Sequence, residues 1–119
     1  MTEPLLKARR ILVVEDEFLL AAELRGELER AGAIVVGWAG TLQDAMALIR
    51  AEKRLDGALL DVNLHGEAAF PAADLLIERG VRFVFVTGYD QSALPDRFAG
   101  ILRLDKPVDM EKLVQAMGG

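Results

Sequence analysis

Cysteine is absent from the 119 residues, and histidine occurs once, at His65. Those absences exclude a disulfide scaffold, a thiolate metal site, a cysteine nucleophile and a histidine-rich zinc centre. No run approaches the roughly 18 consecutive apolar residues that a membrane helix needs, so no membrane contact is expected. Lys7, Arg9 and Arg10 lead into only Ile11 to Val14 before Glu15, too short an apolar stretch for a signal peptide, and a cytoplasmic location follows as the expectation. Basic residues are the minority, 14 against 19 acidic with a net charge of −5, and they are scattered, which argues against a nucleic-acid surface. Gly/Ser linkers, low-complexity tracts and internal repeats are also lacking. A single domain over residues 1–119 is expected, carrying no output domain if the chain is complete. With 52% hydrophobic residues, that domain has enough apolar side chains for one core and too many for disorder.

What is present alternates. Ile11 to Val14 is a continuous apolar run ending in acid residues, the pattern of a strand buried on both faces of a parallel sheet. From Phe18 to Ala31 the apolar positions Leu20, Leu24 and Leu28 mark one face of a helix that Gly32 stops. Ile34 to Val36 predicts a second strand leading to Trp38, and Thr41 caps a second helix containing Ala45, Leu48 and Ile49. Asp56-Gly57 reads as a break before a third strand, Ala58 to Leu60, which again ends in an acid, Asp61. A loop with Asn63, His65 and Gly66 precedes a helix through Ala72, Ala73, Leu75, Leu76 and Ile77 that ends at Gly80. Val81 to Val86 is the strongest β run and stops at Thr87-Gly88. Ser92, Pro95 and Gly100 leave room for only a short, interrupted helix between Asp90 and Gly100, and mobility is expected there. Ile101 to Leu104 predicts a fifth strand, Lys106-Pro107 a turn, and Val108 to Met117 a last helix with Leu113, Val114 and Met117 inward. The sum is an α/β domain: a five-stranded parallel sheet of flavodoxin-like order, flanked by helices, with an irregular or short fourth helix.

Ligand sites in such sheets lie outside the carboxyl ends of the strands. Strand one ends in Glu15, Asp16 and Glu17, strand three in Asp61, strand four in Thr87, and strand five beside Lys106. Carboxylates gathered in one small volume repel each other, and a hard divalent cation, best Mg²⁺, is their natural partner; a backbone carbonyl such as that of Asn63 suits its oxygen preference. Asp61 then reads as a nucleophile toward a phosphoryl donor, with the Thr87 hydroxyl and the Lys106 ammonium neutralising phosphoryl oxygens. Each residue also has an ordinary explanation. Asp16 could cap the following helix, Asp61 could cap or stay solvated, Thr87 could simply end a strand, and Lys106 could be a solvated lysine. Four strand ends that each carry what one mechanism requires favour the joint reading. His65 reads as an exposed turn residue rather than a phosphate carrier, and Trp38, Phe83 and Phe85 read as core.

ILVVEDE at 11–17, ALLDVNLHGE at 58–67, VFVTGYD at 84–90 and LDKP at 104–107 together resemble the receiver domain of two-component response regulators, over nearly the whole chain. The resemblance implies that Asp61 is the phosphoacceptor, that Glu15 and Asp16 serve Mg²⁺ with the Asn63 carbonyl, and that Thr87 and Lys106 are the switch hydroxyl and phosphate-binding lysine. It departs at Arg103, where receivers carry the Phe or Tyr whose rotamer reports phosphorylation. FVFVTGYD, with Gly88 and Tyr89 following Thr87, is instead similar to the FAT GUY subclass of short, stand-alone regulators with an altered fourth helix. In such a protein Tyr89 and the segment to Gly100 are better candidates for the moving element than strand five.

The function this implies is a phosphoacceptor switch rather than a turnover enzyme. It would receive a phosphoryl group from a sensor histidine kinase or phosphotransfer protein, act through an effector protein or as a phosphate sink, and contact neither nucleic acid nor membrane. Two rivals stand beside it. A haloacid-dehalogenase-type phosphatase would want a second Asp where Asn63 stands, and a constitutive, phosphorylation-independent binding module would not need Asp61, Thr87 and Lys106 intact. Nucleotide binding is disfavoured because neither GxxxxGK[ST] nor GxGxxG occurs.

Overall fold

The structure, a computed structural model, describes residues 4–88 and 94–118. Its centre is a five-stranded parallel sheet of β1 (Arg10–Val14), β2 (Ile34–Ala39), β3 (Gly57–Asp61), β6 (Arg82–Thr87) and β7 (Arg103–Asp105), in the order β2-β1-β3-β6-β7. β4 (Asn63–Leu64) and β5 (Glu67–Ala68) form a separate small antiparallel hairpin. Helices α1 (Phe18–Arg30), α2 (Leu42–Ala51), α3 (Phe70–Glu78) and α4 (Met110–Gly118) cover the two faces. This is the expected flavodoxin-like arrangement.

Period-two alternation sorts the central strands between two cores. Ile11 and Val13 of β1, Leu59 of β3 and Val84 of β6 pack with Leu24 and Leu28 of α1 and Leu113 and Met117 of α4. Leu12, Val14, Ala58, Leu60, Phe83 and Phe85 point the other way, into Ala45 and Ile49 of α2 and Ala72, Ala73 and Leu76 of α3. β1, β3 and β6 are therefore apolar on both faces, which is why they read as unbroken hydrophobic runs. The helix boundaries follow their local signals: Gly32 takes φ +98° just past α1, and the Thr41 side chain accepts the Asp44 N–H at the start of α2.

Several expectations are corrected. Trp38 is not core: it lies on the edge strand β2 with 44% of its surface exposed, packed edge-on against Phe18 with ring centres 5.8 Å apart. Gly57 is not a break but the first, buried residue of β3, where a Cβ would lie 2.7 Å from Met117 Cε. The glycine there leaves room for the end of the Met117 side chain. The loop after Asp61 is the β4–β5 hairpin, turning through His65 and Gly66 at φ +51° and +86°. Between β6 and β7 the described residues contain one 3₁₀ turn, Asp96–Phe98, in keeping with the short, interrupted helix expected there. Phe98 is fully buried, 5.4 Å from Phe85 and 5.5 Å from Phe70, and Arg97 makes a paired hydrogen bond to Asp74 of α3 at 2.9 and 3.0 Å. Phe98 and Arg97 thus tie residues 94–100 to β6 and α3. Tyr89 and the rest of that stretch, residues 90–93, lie outside the described residues.

Candidate acidic site at the strand ends

The order β1-β3-β6-β7 sets Glu15, Asp61, Thr87 and Lys106 at adjacent carboxyl ends. Glu15 follows β1 directly and is fixed by its own backbone: its N–H donates to the Ala39 carbonyl at 2.9 Å, and its carbonyl accepts the Trp38 indole N–H at 2.7 Å. The edge tryptophan is thereby a brace for the acid segment. A buried side chain results, with Oε2 accepting the Glu17 N–H at 2.9 Å. Asp16 does not cap α1. The residue at that cap is Glu17, which makes no side-chain capping bond, and Asp16 Oδ2 instead accepts the His65 N–H at 2.9 Å. The hairpin turn therefore reaches back to the β1 acids, while the exposed His65 ring stands 3.5 Å from the same oxygen.

Asp61 ends β3 with 3% of its surface exposed. Its Oδ1 accepts the Asn63 N–H at 3.1 Å, and its Oδ2 accepts from Lys106 Nζ at 2.9 Å. The Asn63 side chain meanwhile accepts the Gly66 N–H at 2.6 Å and closes the hairpin turn. Lys106 Nζ also lies 3.2 Å from Glu15 Oε1 and 3.5 Å from Glu17 Oε1. One ammonium thus serves three carboxylates, with Asp61 its nearest. Glu15 Oε1 is buried and accepts no hydrogen bond among the described residues.

These surroundings shift the acids apart. Burial, reinforced by the charge of Asp61, pushes the Glu15 carboxyl up to about 8. Burial also works to raise Asp16, but the His65 N–H, the Glu15 carboxyl and the charges of His65 and Lys106 outweigh it and leave Asp16 below its usual range. Lys106 loses solvation, yet Asp61 first and Glu15 second hold its ammonium above the ordinary lysine value. An oxygen from each of Glu15, Asp16 and Asp61 falls within 4.8 Å of the others. Three clustered carboxylates, one with a buried oxygen that accepts no hydrogen bond among the described residues, fit a hard divalent cation.

Thr87 is wholly buried and departs from expectation: its hydroxyl is not turned to the acid cluster but donates to Asp105 Oδ1 at 2.8 Å. The parallel register pairs Thr87 with Asp105, so the carboxylate sits directly across the ladder. Nothing in the local pattern of either strand marks that contact; only the register does. Gly88 follows Thr87 half-buried, and Arg103 is exposed on β7 with Nε 3.8 Å from Asp105 Oδ1. Of the expected site residues, Glu15, Asp16, Asp61, Asn63 and Lys106 come together, while Thr87 faces a different partner. No helix among the described residues is long and apolar enough to cross a membrane.

Comparison with known proteins adds three relatives. The sensory transduction protein LytT of Bacillus cereus is 35% identical over 115 residues, covering 91% of this chain and 45% of LytT. The phyllosphere-induced regulator PhyR of Methylorubrum extorquens is 36% identical over 93 residues, 76% of this chain and 33% of PhyR. The chain thus spans less than half the length of these two curated relatives. The solution structure of SdrG from Sphingomonas melonis Fr1 superposes with a TM-score of 0.81 at 36% identity, covering 98% of this chain and 96% of SdrG. A second SdrG structure, of its BeF3-activated conformation, gives 0.76 at 34% identity over all of both chains. Residues 11–118 match the family described as response regulator receiver domain, and with the fold shared from end to end, this chain belongs to that family.

Proposed function

We propose that this chain is a single-domain response regulator, one receiver over residues 1–119, that takes a phosphoryl group onto Asp61 and signals through protein contacts. The observation that carries the reading is the Asp61 carboxylate, almost wholly buried yet held 2.9 Å from the Lys106 ammonium inside the acid cluster. A buried carboxylate at a strand end, bonded to a lysine ammonium and clustered with two further acids, is a recurrent arrangement at functional sites. SdrG, similar along its whole length, has a BeF3-activated conformation, and the same response is expected here.

In the proposed step an Asp61 oxygen attacks the phosphorus of a phosphohistidine on a sensor kinase or phosphotransfer protein. The O–P bond forms as the N–P bond breaks, and the imidazole nitrogen leaves and takes a proton from water. Glu15, Asp16 and Asp61, with the Asn63 carbonyl, would hold Mg²⁺, whose contribution when bound is to neutralise charge on the phosphoryl oxygens. Lys106, already bonded to Asp61 Oδ2, follows the oxygen that becomes part of the acyl phosphate. Reversal of the signal is hydrolysis: water attacks phosphorus, the O–P bond breaks, inorganic phosphate departs, and the carboxylate is restored. The protein is a cytoplasmic switch of the FAT GUY kind in this reading, passing its state to an effector protein or draining phosphate from its kinase.

The test is amide NMR of wild type and Asp61→Asn with beryllofluoride, with and without Mg²⁺. Mg²⁺-dependent shifts at Asp61, Thr87, Gly88 and Lys106 are expected in the wild type and absent in the variant. A wild type that answers under no condition would sink the phosphoacceptor assignment and leave a constitutive binding module.

A further inference from the structure

A hydroxyl has one proton to donate. The Thr87 hydroxyl spends it on Asp105 Oδ1 at 2.8 Å, while the Thr87 carbonyl accepts the Lys106 N–H at 2.8 Å. Both contacts follow from the β6–β7 register that sets Thr87 opposite Asp105. The two ends of this bond differ: Thr87 is fully buried, whereas the Asp105 side chain is 71% exposed. An interior group next to the phosphoacceptor's strand is thus tied to a carboxylate on the outer, edge strand of the sheet. A phosphoryl oxygen on Asp61 and the Asp105 carboxylate cannot both receive the single proton.

We infer that Asp105 is the resting latch of Thr87, a positioning residue that holds the hydroxyl away from the acid cluster and so sets how readily the activated state is captured. The inference rests on the phosphoacceptor reading of Asp61. It also supplies what Arg103 lacks as a signalling residue. Arg103 Nε lies 3.8 Å from the same Asp105 oxygen, so when Thr87 lets go, that oxygen becomes free to pair more closely with Arg103. The state of a buried hydroxyl is thereby written onto the charge pairing of the β7 edge without an aromatic rotamer. Sequence alone does not suggest this, because an acid before Lys106-Pro107 in an exposed turn has no reason to be singled out.

The test is the apparent affinity for beryllofluoride at saturating Mg²⁺, followed by amide NMR, in wild type, Asp105→Ala, Asp105→Asn and Thr87→Ala backgrounds. Removing the acceptor in Asp105→Ala should tighten the apparent affinity about threefold to tenfold, the scale of a charge-assisted hydrogen bond discounted for exposure. Asp105→Asn keeps an acceptor oxygen and loses the charge, so its affinity should lie nearer the wild type. In the Thr87→Ala background, Asp105→Ala should change nothing. Before any activation, the Thr87 side-chain couplings should report one rotamer in the wild type and averaging in Asp105→Ala. If Asp105→Asn matches Asp105→Ala, or if Asp105→Ala acts equally without the Thr87 hydroxyl, the effect is one of charge alone and the latch is overturned. An unchanged Asp105→Ala with a responsive wild type overturns the latch and leaves the phosphoacceptor reading standing. A wild type that never responds overturns both.

Discussion

Phe98→Ala measures what holds the sheet together where the described residues between β6 and β7 form a single 3₁₀ turn. Phe98 is fully buried and touches Phe85 edge-on at 5.4 Å and Phe70 at a 35° tilt and 5.5 Å. Truncating a buried phenylalanine costs about 3–5 kcal/mol through lost transfer energy and the cavity left behind. Because the turn lies on the outside of the core and its backbone can settle inward, the lower part of that range is expected, about 3 kcal/mol. That is a large share of the roughly 5–15 kcal/mol available to a domain of this size. With a urea slope of about 1–3 kcal/mol/M, the unfolding midpoint should fall by about 1–3 M at unchanged slope. The consequence is local as well as global. Ile101 donates to the Phe98 carbonyl at 2.9 Å and Phe85 donates to the Leu102 carbonyl at 3.0 Å, so the Ile101 and Phe85 amides should exchange faster. Arg97→Ala, which loses the exposed pair with Asp74 and the guanidinium 4.5 Å over the Phe98 ring, should still have a smaller effect than the ring deletion. A Phe98→Ala midpoint shift equivalent to less than about 1 kcal/mol would refute the argument that this ring is a main cover of the β6–α3 core.

Two further outcomes follow from single contacts. Burial raises Glu15 from its ordinary 4.5 to about 8, so its contribution to the metal-free protein is complete below about 4.5 and lost as pH rises through about 8; urea midpoints in chelator should therefore decline across that window. Glu15→Gln should flatten the decline, and identical pH profiles for the two proteins would refute the shift. Gly57→Ala places a methyl 2.7 Å from Met117 Cε, the end of a flexible side chain, and should cost at most about 1 kcal/mol, relieved when Met117 is shortened to Val in the same chain. Strictly additive losses in the double variant, read by urea unfolding, would show that the two side chains do not collide.

The parts of this molecule legible in its sequence are those decided by one strand or one helix at a time. Ile11 to Val14 and Phe83 to Val86 announce themselves because both faces of a central parallel strand are buried, and the acids that end such runs must lie at the rim. The joint placement of Glu15, Asp61 and Lys106 was therefore inferable from topology alone. What escaped depends on pairs of elements. Trp38 looks like core until β2 is known to be an edge strand, and Gly57 looks like a break until α4 is seen crossing it. The His65 N–H on Asp16 needs the hairpin, and the turn of Thr87 toward Asp105 needs a register that no single strand encodes. Phe98 was lost for a related reason. A lone aromatic among Ser, Pro and Gly carries no periodicity, although it is fully buried.

The charge balance of the site explains why one fold feature answers to several residues at once. Glu15, Glu17 and Asp61 all lie within 3.5 Å of Lys106 Nζ, and Asp16 leans on the hairpin N–H instead. The ammonium compensates one negative charge fully, and its shortest contact goes to Asp61. The uncompensated remainder falls on Glu15, the most buried of the group, which responds by holding its proton to higher pH. A phosphoryl group on Asp61 would add roughly another −1 to the same volume, since it carries about −1.5 to −2 in place of a carboxylate. On the reading proposed above, Lys106 alone would not offset that addition, and a divalent cation on the acid cluster would supply the missing positive charge. Removal of Lys106 and removal of the cation should for that reason fail differently. Without the lysine, Asp61 loses its nearest partner in the resting state; without the cation, the resting state stands and only the loaded state is lost.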